Sequence, residues 1–313
     1  MARRPASRLG LTTWLVGLLA VAVIPSACGP MAGASPSARA SGSAATVLDV
    51  VATTTVFADM VRNVGGERVS VTSIIPSGAG PEDYEPKPDD ARKLAGADLI
   101  VSNGVGLDDF LDGLIDAAGG GDVPRLVLGT GIPTIDTGGK PNPHFWLDPS
   151  LVVDHYLPAI AARLSELDAA GAASYRANLD EYAARIGEMD DANKAKIATI
   201  PAAQRKLVTF HDAFPYFAAH YGFELVGVIL ANVGQEPSAS DLAALVETVR
   251  AARVRAVFSE AQFSPELAHT LAQEAGVTQV VTTLYNDTVG PPPNDTYLTM
   301  MEWNVAEIVK ALR

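Results

Sequence analysis

The chain has a single cysteine, Cys28, and only five histidines among its 313 residues, and aromatic side chains make up 6% of it. One cysteine excludes an internal disulfide, and it rules out the multi-thiolate centres typical of structural zinc sites. Basic residues are also scarce: 23 Lys and Arg stand against 36 Asp and Glu, for a formal net charge of −13. That deficit excludes the basic footprint of a nucleic-acid-binding domain; it is compatible with cation capture, though many soluble proteins are acidic. The chain carries no Gly-x-Ser-x-Gly, His-Glu-x-x-His or phosphate-loop pattern, so these hydrolase and nucleotide-binding signatures are missing. Its first apolar run, residues 9–24, is shorter than the roughly 20 residues that span a bilayer as a helix.

That run has the marks of a signal peptide covering residues 1–27. Arg3, Arg4 and Arg8 precede it, and the small residues Ser26 and Ala27 follow it. Cys28 stands where the lipobox of bacterial lipoproteins has the cysteine that becomes the first mature residue and carries acyl chains. The sequence departs from that pattern at Pro25, where leucine is usual, and ordinary secretory cleavage near Ala27 is the alternative. Residues 28–45, rich in Gly, Ala, Ser and Pro, cannot bury a core and are expected to form a flexible tether.

In the remaining chain, short β-branched runs alternate with longer helical patterns, the signature of parallel α/β architecture. Strands are expected at 48–53, 69–75, 99–102 and 126–128, then at 207–210, 224–229, 256–259 and 279–284. Between the two sets lies a proline-free helical stretch, residues 172–197, in which Tyr175, Leu179, Tyr182 and Ile186 recur at spacings of three and four. A helix of that length spans about 39 Å. The expected architecture is an N-terminal α/β lobe (46–171), a linking helix (172–200) and a C-terminal α/β lobe (201–313), each lobe with a four-stranded parallel sheet. A single eight-stranded barrel is disfavoured because its βα units would be evenly spaced. Asp148-Pro149, Ser238 to Asp241 and Ser264-Pro265-Glu266 have helix-start chemistry.

In open α/β sheets, ligands bind beyond the carboxyl ends of the strands. Four polar positions sit there. Glu82 lies in the acidic, proline-rich loop after the second strand; His144 lies between Pro143 and Phe145-Trp146; His211 directly follows 207–210; Asp287 follows the last strand. Each also has a plain structural reading: a hydrogen-bonded loop histidine, a turn-capping aspartate, a solvated acid. His155, His220 and His269 fall inside helical patterns and are read as surface or core residues.

The stretches IIPSGAGPEDYEPKPDD, ADLIVSNGVGLDDFLDGLI, NPHFWLDPS, LVTFHDAFPYFAAHYG, QEPSASDLAALV, VFSEAQFSPELA and TLYNDTVGPPPNDTYLTMMEWNV together cover most of the mature domain. They resemble the cluster A-I solute-binding proteins of zinc and manganese ABC transporters, in the family's order. The resemblance implies two lobes bridged by a long helix, with one divalent ion held between them by Glu82, His144, His211 and Asp287. It implies a non-enzymatic, monomeric, extracytoplasmic lipoprotein that delivers zinc or manganese to a membrane permease. The chain departs from the family at Glu82, where histidine is usual, so Asp83 or Glu85 remain alternatives there. Two carboxylates beside two imidazoles suit manganese better than an all-imidazole set, and residues 135–141 hold no histidine-rich loop, so the reading leans to manganese. A binding protein for a siderophore, haem or cobalamin, and an adhesin with a structural metal, are the rival readings.

Overall fold

The computed structural model describes residues 47–313 apart from 83, 118, 120, 232 and 233. The signal segment, Cys28 and the tether lie outside the described residues. In the first half, the apolar runs become strands β1 (Leu48–Ala52), β2 (Val69–Ser73), β3 (Leu99–Ser102) and β4 (Arg125–Val127). They form one parallel sheet in the order β2-β1-β3-β4. Val50 of β1 pairs with Val71 on one side and Leu99 on the other, so the centre of the sheet is apolar. The pairing continues past β2, because Ile74 N donates to Ala52 O and Ile75 N to Thr53 O at 3.0 and 2.9 Å. Helices α1 (Thr55–Gly65), α2 (Pro88–Ala95) and α3 (Phe110–Ala117) connect these strands.

A small hairpin, β5 (Asp136–Thr137) with β6 (Lys140–Pro141), follows β4. The strand pattern does not anticipate it; it turns on Gly138 and Gly139, both at positive φ (56° and 79°), which suits a two-residue hairpin loop. Next, α4 (Pro149–Leu151) runs through a π-helical turn, Val152–Tyr156, into α5 (Leu157–Leu167). Asp148 caps α4 by accepting from Ser150 N at 2.9 Å, as its sequence promised.

The long helix α6 (Ala172–Ile197) has the expected 26 residues. It buries Tyr175, Tyr182 and Ile186, and Leu179 packs half-buried beside them. The second half continues with β7 (Lys206–His211), α7 (Pro215–Tyr221), β8 (Glu224–Leu230), α8 (Ala239–Ala252), β9 (Ala256–Glu260), α9 (Glu266–Ala275), β10 (Gln279–Leu284) and α10 (Tyr297–Leu312). Where one four-stranded sheet was expected, its strands pair as two parallel ribbons, β8 with β7 and β9 with β10, with β7 running beside β9 without a continuous hydrogen-bonded ladder. Ser238 starts α8 through a capping box with Asp241, whereas α9 starts after Pro265 with no side-chain cap. No helix among the described residues is long and apolar enough to cross a membrane.

Each half has a small apolar cluster of its own, around Ile74, Ile100 and Leu111 in the first and Val208, Val257 and Leu271 in the second, but the largest cluster is shared. It runs from Val56, Phe57 and Met60 of α1, through Tyr182 and Ile186 of α6, to Met300, Val305 and Ile308 of α10. Each such side chain, fully buried, contributes roughly 1.5–3 kcal/mol, so the shared cluster binds the halves firmly. Polar contacts follow the same path: the buried Asp59 carboxylate of α1 accepts from Tyr182 Oη (2.9 Å) and from Tyr297 N (3.0 Å).

His220 departs from its expected role as an ordinary helical residue. On α7, its ring lies 2.8 Å from Asp148 at the start of α4 and 2.9 Å from Asp190 on α6, and Lys194 bonds Asp190 at 2.6 Å. Burial opposes charge on His220, but the two carboxylates outweigh it and push its pKa up from 6.5 to about 9. A raised pKa means the contribution is full below pH 6.5 and is lost as pH rises through about 9. At about 1.36 kcal/mol per unit, the window is worth on the order of 3 kcal/mol. His220→Gln is therefore expected to lose most stability, read by urea unfolding, near neutral and mildly acidic pH, with the deficit shrinking above about pH 9. A deficit that does not change with pH would contradict a charged His220.

Candidate metal centre

The last residue of β7, His211, points past the strand's carboxyl end and is 2% exposed. Glu260, the last residue of the neighbouring β9, lies behind the ring, with Oε1 3.3 Å from Nδ1. The Phe263 ring packs edge-on against it, and Asn286 Nδ2 lies 3.1 Å from Nε2.

His144 opens a 3₁₀ turn, Phe145–Leu147, whose three side chains are fully buried and fix the backbone around it. Phe57 meets Trp146 edge-on at 5.1 Å, and Phe145 packs on Tyr216 at 4.9 Å. The second half also holds this segment by hydrogen bonds: Trp146 Nε1 donates to Asn286 O, and Tyr297 Oη donates to Trp146 O, both at 2.8 Å. Asn142 sets the ring itself. Its Oδ1 accepts from His144 N at 3.1 Å and lies 3.0 Å from His144 Nδ1, which makes Nδ1 a donor and turns Nε2 toward His211 and Asp287.

Asp287 follows β10 and is fully buried. Asn304 of α10 clamps Tyr285, two residues before it, accepting from Tyr285 N at 2.9 Å and donating to Tyr285 O. Gln262 Nε2 donates to Asp287 Oδ2 at 2.7 Å. Glu82 arrives on the loop after β2, and that loop is docked onto the Asp287 loop. Ser77 Oγ donates to Val289 O at 2.5 Å, and Gly78 N donates to Thr288 Oγ1 at 3.0 Å.

The four sequence-predicted positions thus converge. Ligand atoms of Glu82, His144 and His211 lie within 4.8 Å of one another. His144 Nε2 is 3.4 Å from His211 Nε2 and 3.5 Å from Asp287 Oδ1, and His211 Nε2 is 3.9 Å from Asp287 Oδ2. A tetrahedron with metal–ligand bonds of about 2.1 Å has edges of about 3.4 Å, so these separations match one small ion with little adjustment. Asp287 Oδ1 is buried with no hydrogen-bond partner among the described residues. An unpartnered carboxylate oxygen beside two imidazoles is the polar gap that a cation fills. His155, His220, His269 and Glu85 do not join the cluster, and Asp83 lies outside the described residues.

The electrostatics are those of a cation receptor. Burial lowers the pKa of His211, but Glu260, then Asp287 and Glu82, outweigh it and raise the pKa to about 10. Burial raises the pKa of Asp287, but the His144 contact and both imidazoles bring it below the ordinary value. A cleft of about 750 Å³ opens onto Glu82, His144 and His211, with Thr137, Gly138 and Lys140 of the hairpin on its rim. Val105, Gly106 and Leu107 also line it, and the turn Gly104-Val105-Gly106 has φ of 78°, 58° and 86°. Asp108 holds this turn by accepting from Asn103 N and Gly104 N at 2.6 and 2.8 Å. Positive φ on a β-branched residue is costly, and the Asp108 anchor offsets that cost.

Asn142, Glu260, Gln262 and Asn286 are the functional neighbours that sequence reasoning did not single out. Glu260 carried the usable signal: it is the polar last residue of an apolar strand, as His211 is.

A family model described as the periplasmic zinc-uptake complex component A matches residues 50–311. The manganese-binding lipoprotein MntA of Halalkalibacterium halodurans is 32% identical, over 85% of this chain and 88% of that protein. The metal ABC transporter substrate-binding lipoprotein SloC of Streptococcus mutans is 30% identical, over 85% and 90%. Among solved structures, the periplasmic zinc-binding protein TroA of Treponema pallidum superposes with a TM-score of 0.78 at 26% identity, covering 85% of this chain and 99% of that one. The chain belongs to the zinc-uptake component A family, whose members are substrate-binding components rather than enzymes.

Asn142 is 3% exposed and also donates to Asp212 O at 2.7 Å, tying the His144 segment to the second half. Asn142→Ala leaves that carbonyl and His144 N unpaired and is expected to cost about 1–3 kcal/mol. Urea unfolding of the metal-free protein measures it; wild-type stability would mean these bonds are replaced by water.

Proposed function

We propose that this protein captures one divalent transition-metal ion outside the cytoplasm and delivers it to an ABC-transporter permease for import. Glu82, His144, His211 and Asp287 act as ligands, and acylated Cys28 anchors the chain to the membrane. The observation that carries the reading is the pair of imidazole Nε2 atoms 3.4 Å apart with Asp287 Oδ1 at 3.5 Å from one of them. Such a nitrogen and oxygen donor set suits zinc and manganese alike; the carboxylate share favours the harder ion, manganese. The family description names zinc, and MntA is named for manganese, so kinship leaves the metal open.

Capture follows from charge and shape. The ion meets exposed Glu82 at the cleft and passes inward to the buried imidazoles and Asp287. It gives up water for fixed donors and exchanges charge with the proton on His211. Because the ligands come from both halves, the bound ion links them, and the permease reads that liganded surface. A cleft of this size also falls within the range of small-molecule pockets, which favours a second reading: a metal chelate as cargo. Against it, the described residues that line the cleft include no Phe, Tyr or Trp and a single Lys.

Calorimetric titration of the metal-free protein with Mn²⁺ and Zn²⁺ tests the reading. One equivalent is expected to bind, and His211→Ala and Asp287→Ala are each expected to weaken it at least tenfold, about 1.4 kcal/mol. Unchanged affinity in either variant removes that residue from the site. Glu82→His is expected to shift preference toward Zn²⁺, and an unshifted preference would mean that Glu82 is not a ligand. Binding of an iron chelate with no binding of free ions would move the chelate reading to the front.

A further inference from the structure

Glu260 is fully buried, and neither of its carboxylate oxygens has a hydrogen-bond partner among the described residues. Stranding a carboxylate in this way costs several kcal/mol unless a charge or a proton donor faces it. The group that faces it is His211, with Nδ1 at 3.3 Å from Oε1. The other ring nitrogen, Nε2, lies 3.4 Å from His144 Nε2 and 3.9 Å from Asp287 Oδ2, and Asn286 Nδ2 lies 3.1 Å from Nε2 and 3.4 Å from Nδ1. The end of β9 supports the centre twice more: Gln262 holds Asp287 Oδ2 at 2.7 Å, and Phe263 packs against the His211 ring.

We propose that Glu260 is a positioning residue of the metal centre: it accepts the Nδ1 proton of His211 and thereby presents Nε2 to the ion. The proposal deepens the metal-capture reading and rests on it. A carboxylate behind a ligating imidazole fixes the tautomer, orients the ring and makes its free nitrogen a stronger donor. The two histidines are then unequal. His144 is backed by the neutral amide of Asn142 at 3.0 Å, whereas His211 is backed by an anion. Glu260 also brings a third carboxylate near the ion, beside Glu82 and Asp287, and so strengthens the field that draws a cation inward.

Three variants of the full chain test it by titration with Zn²⁺ and Mn²⁺: Glu260→Gln, Glu260→Asp and Glu260→Ala. Glu260→Gln, isosteric but uncharged, is expected to weaken binding roughly 10- to 100-fold, Glu260→Ala at least as much, and Glu260→Asp less than either. Nitrogen-15 NMR of histidine-labelled, Zn²⁺-loaded wild-type protein reads the tautomer directly and does not depend on any variant folding. His211 is expected to keep its proton on Nδ1 and to bind through Nε2. Glu260→Gln affinity within about twofold of wild type, or His211 bound through Nδ1, would overturn the role of Glu260. If wild-type protein bound neither ion, the metal reading itself would fall; if it bound one equivalent and Glu260→Gln matched it, only this inference would.

Discussion

Glu260, Asp287, His144 and His211 are each no more than 2% exposed, and they crowd together where the loops from two parallel sheets meet. Carboxylates in such a space repel one another and have lost most of their water, so their burial is unfavourable unless positive charge enters among them. Without an ion, a proton on His211 supplies part of it; its raised pKa is the mark of that need. An ion of charge two at the junction answers it more fully. The rest of the molecule can be understood as the frame that keeps these groups from relaxing apart.

That frame is a large apolar cluster common to both halves, beside a smaller one within each. The cluster running from α1 through α6 to α10 is shared by both halves, and the His144 segment is tied across by Trp146, Tyr297 and Asn142. The Glu82 loop is in turn tied to the Asp287 loop through Ser77 and Gly78. Donor atoms carried by residues far apart in sequence are thereby held near the edge lengths of a small coordination polyhedron before any ion arrives. Preorganisation of this kind favours affinity, because little ordering remains to be done on binding. It also argues that the ion's effect on shape is concentrated in the exposed Glu82 loop and the glycine hairpin at the cleft, where few buried contacts resist movement.

Much of this was legible in the sequence, for identifiable reasons. Continuous β-branched runs marked the strands, and the bounds of α6 were readable because a long proline-free stretch repeats its apolar residues at helical spacing. Helix starts at Asp148, Ser238 and Ser264 announced themselves by residue type; α9 begins at Glu266, whose N donates to Ser264 Oγ at 3.4 Å. The strand-end rule singled out Glu82, His144, His211 and Asp287, and the family's motifs fell on the same four positions. What stayed hidden depends on contacts across the fold. The ion triad of His220 joins α4, α6 and α7, and no spacing within one helix reveals it. Glu260 was not singled out because its partner is 49 residues away in sequence (260 − 211) and is visible only once β9 lies beside β7. The apolar cluster shared by both halves likewise depends on contacts across the fold, which no local spacing reveals.

The central claim is that one ion is held by two imidazole nitrogens and carboxylate oxygens at this junction. X-ray absorption at the edge of the bound metal, on wild-type protein loaded with one equivalent, tests it most directly. The account predicts a first shell of nitrogen and oxygen only, at about 2.0–2.2 Å, with the outer-shell scattering of two imidazoles. A shell of water oxygens without imidazole scattering, or protein that retains no metal after desalting, would contradict it.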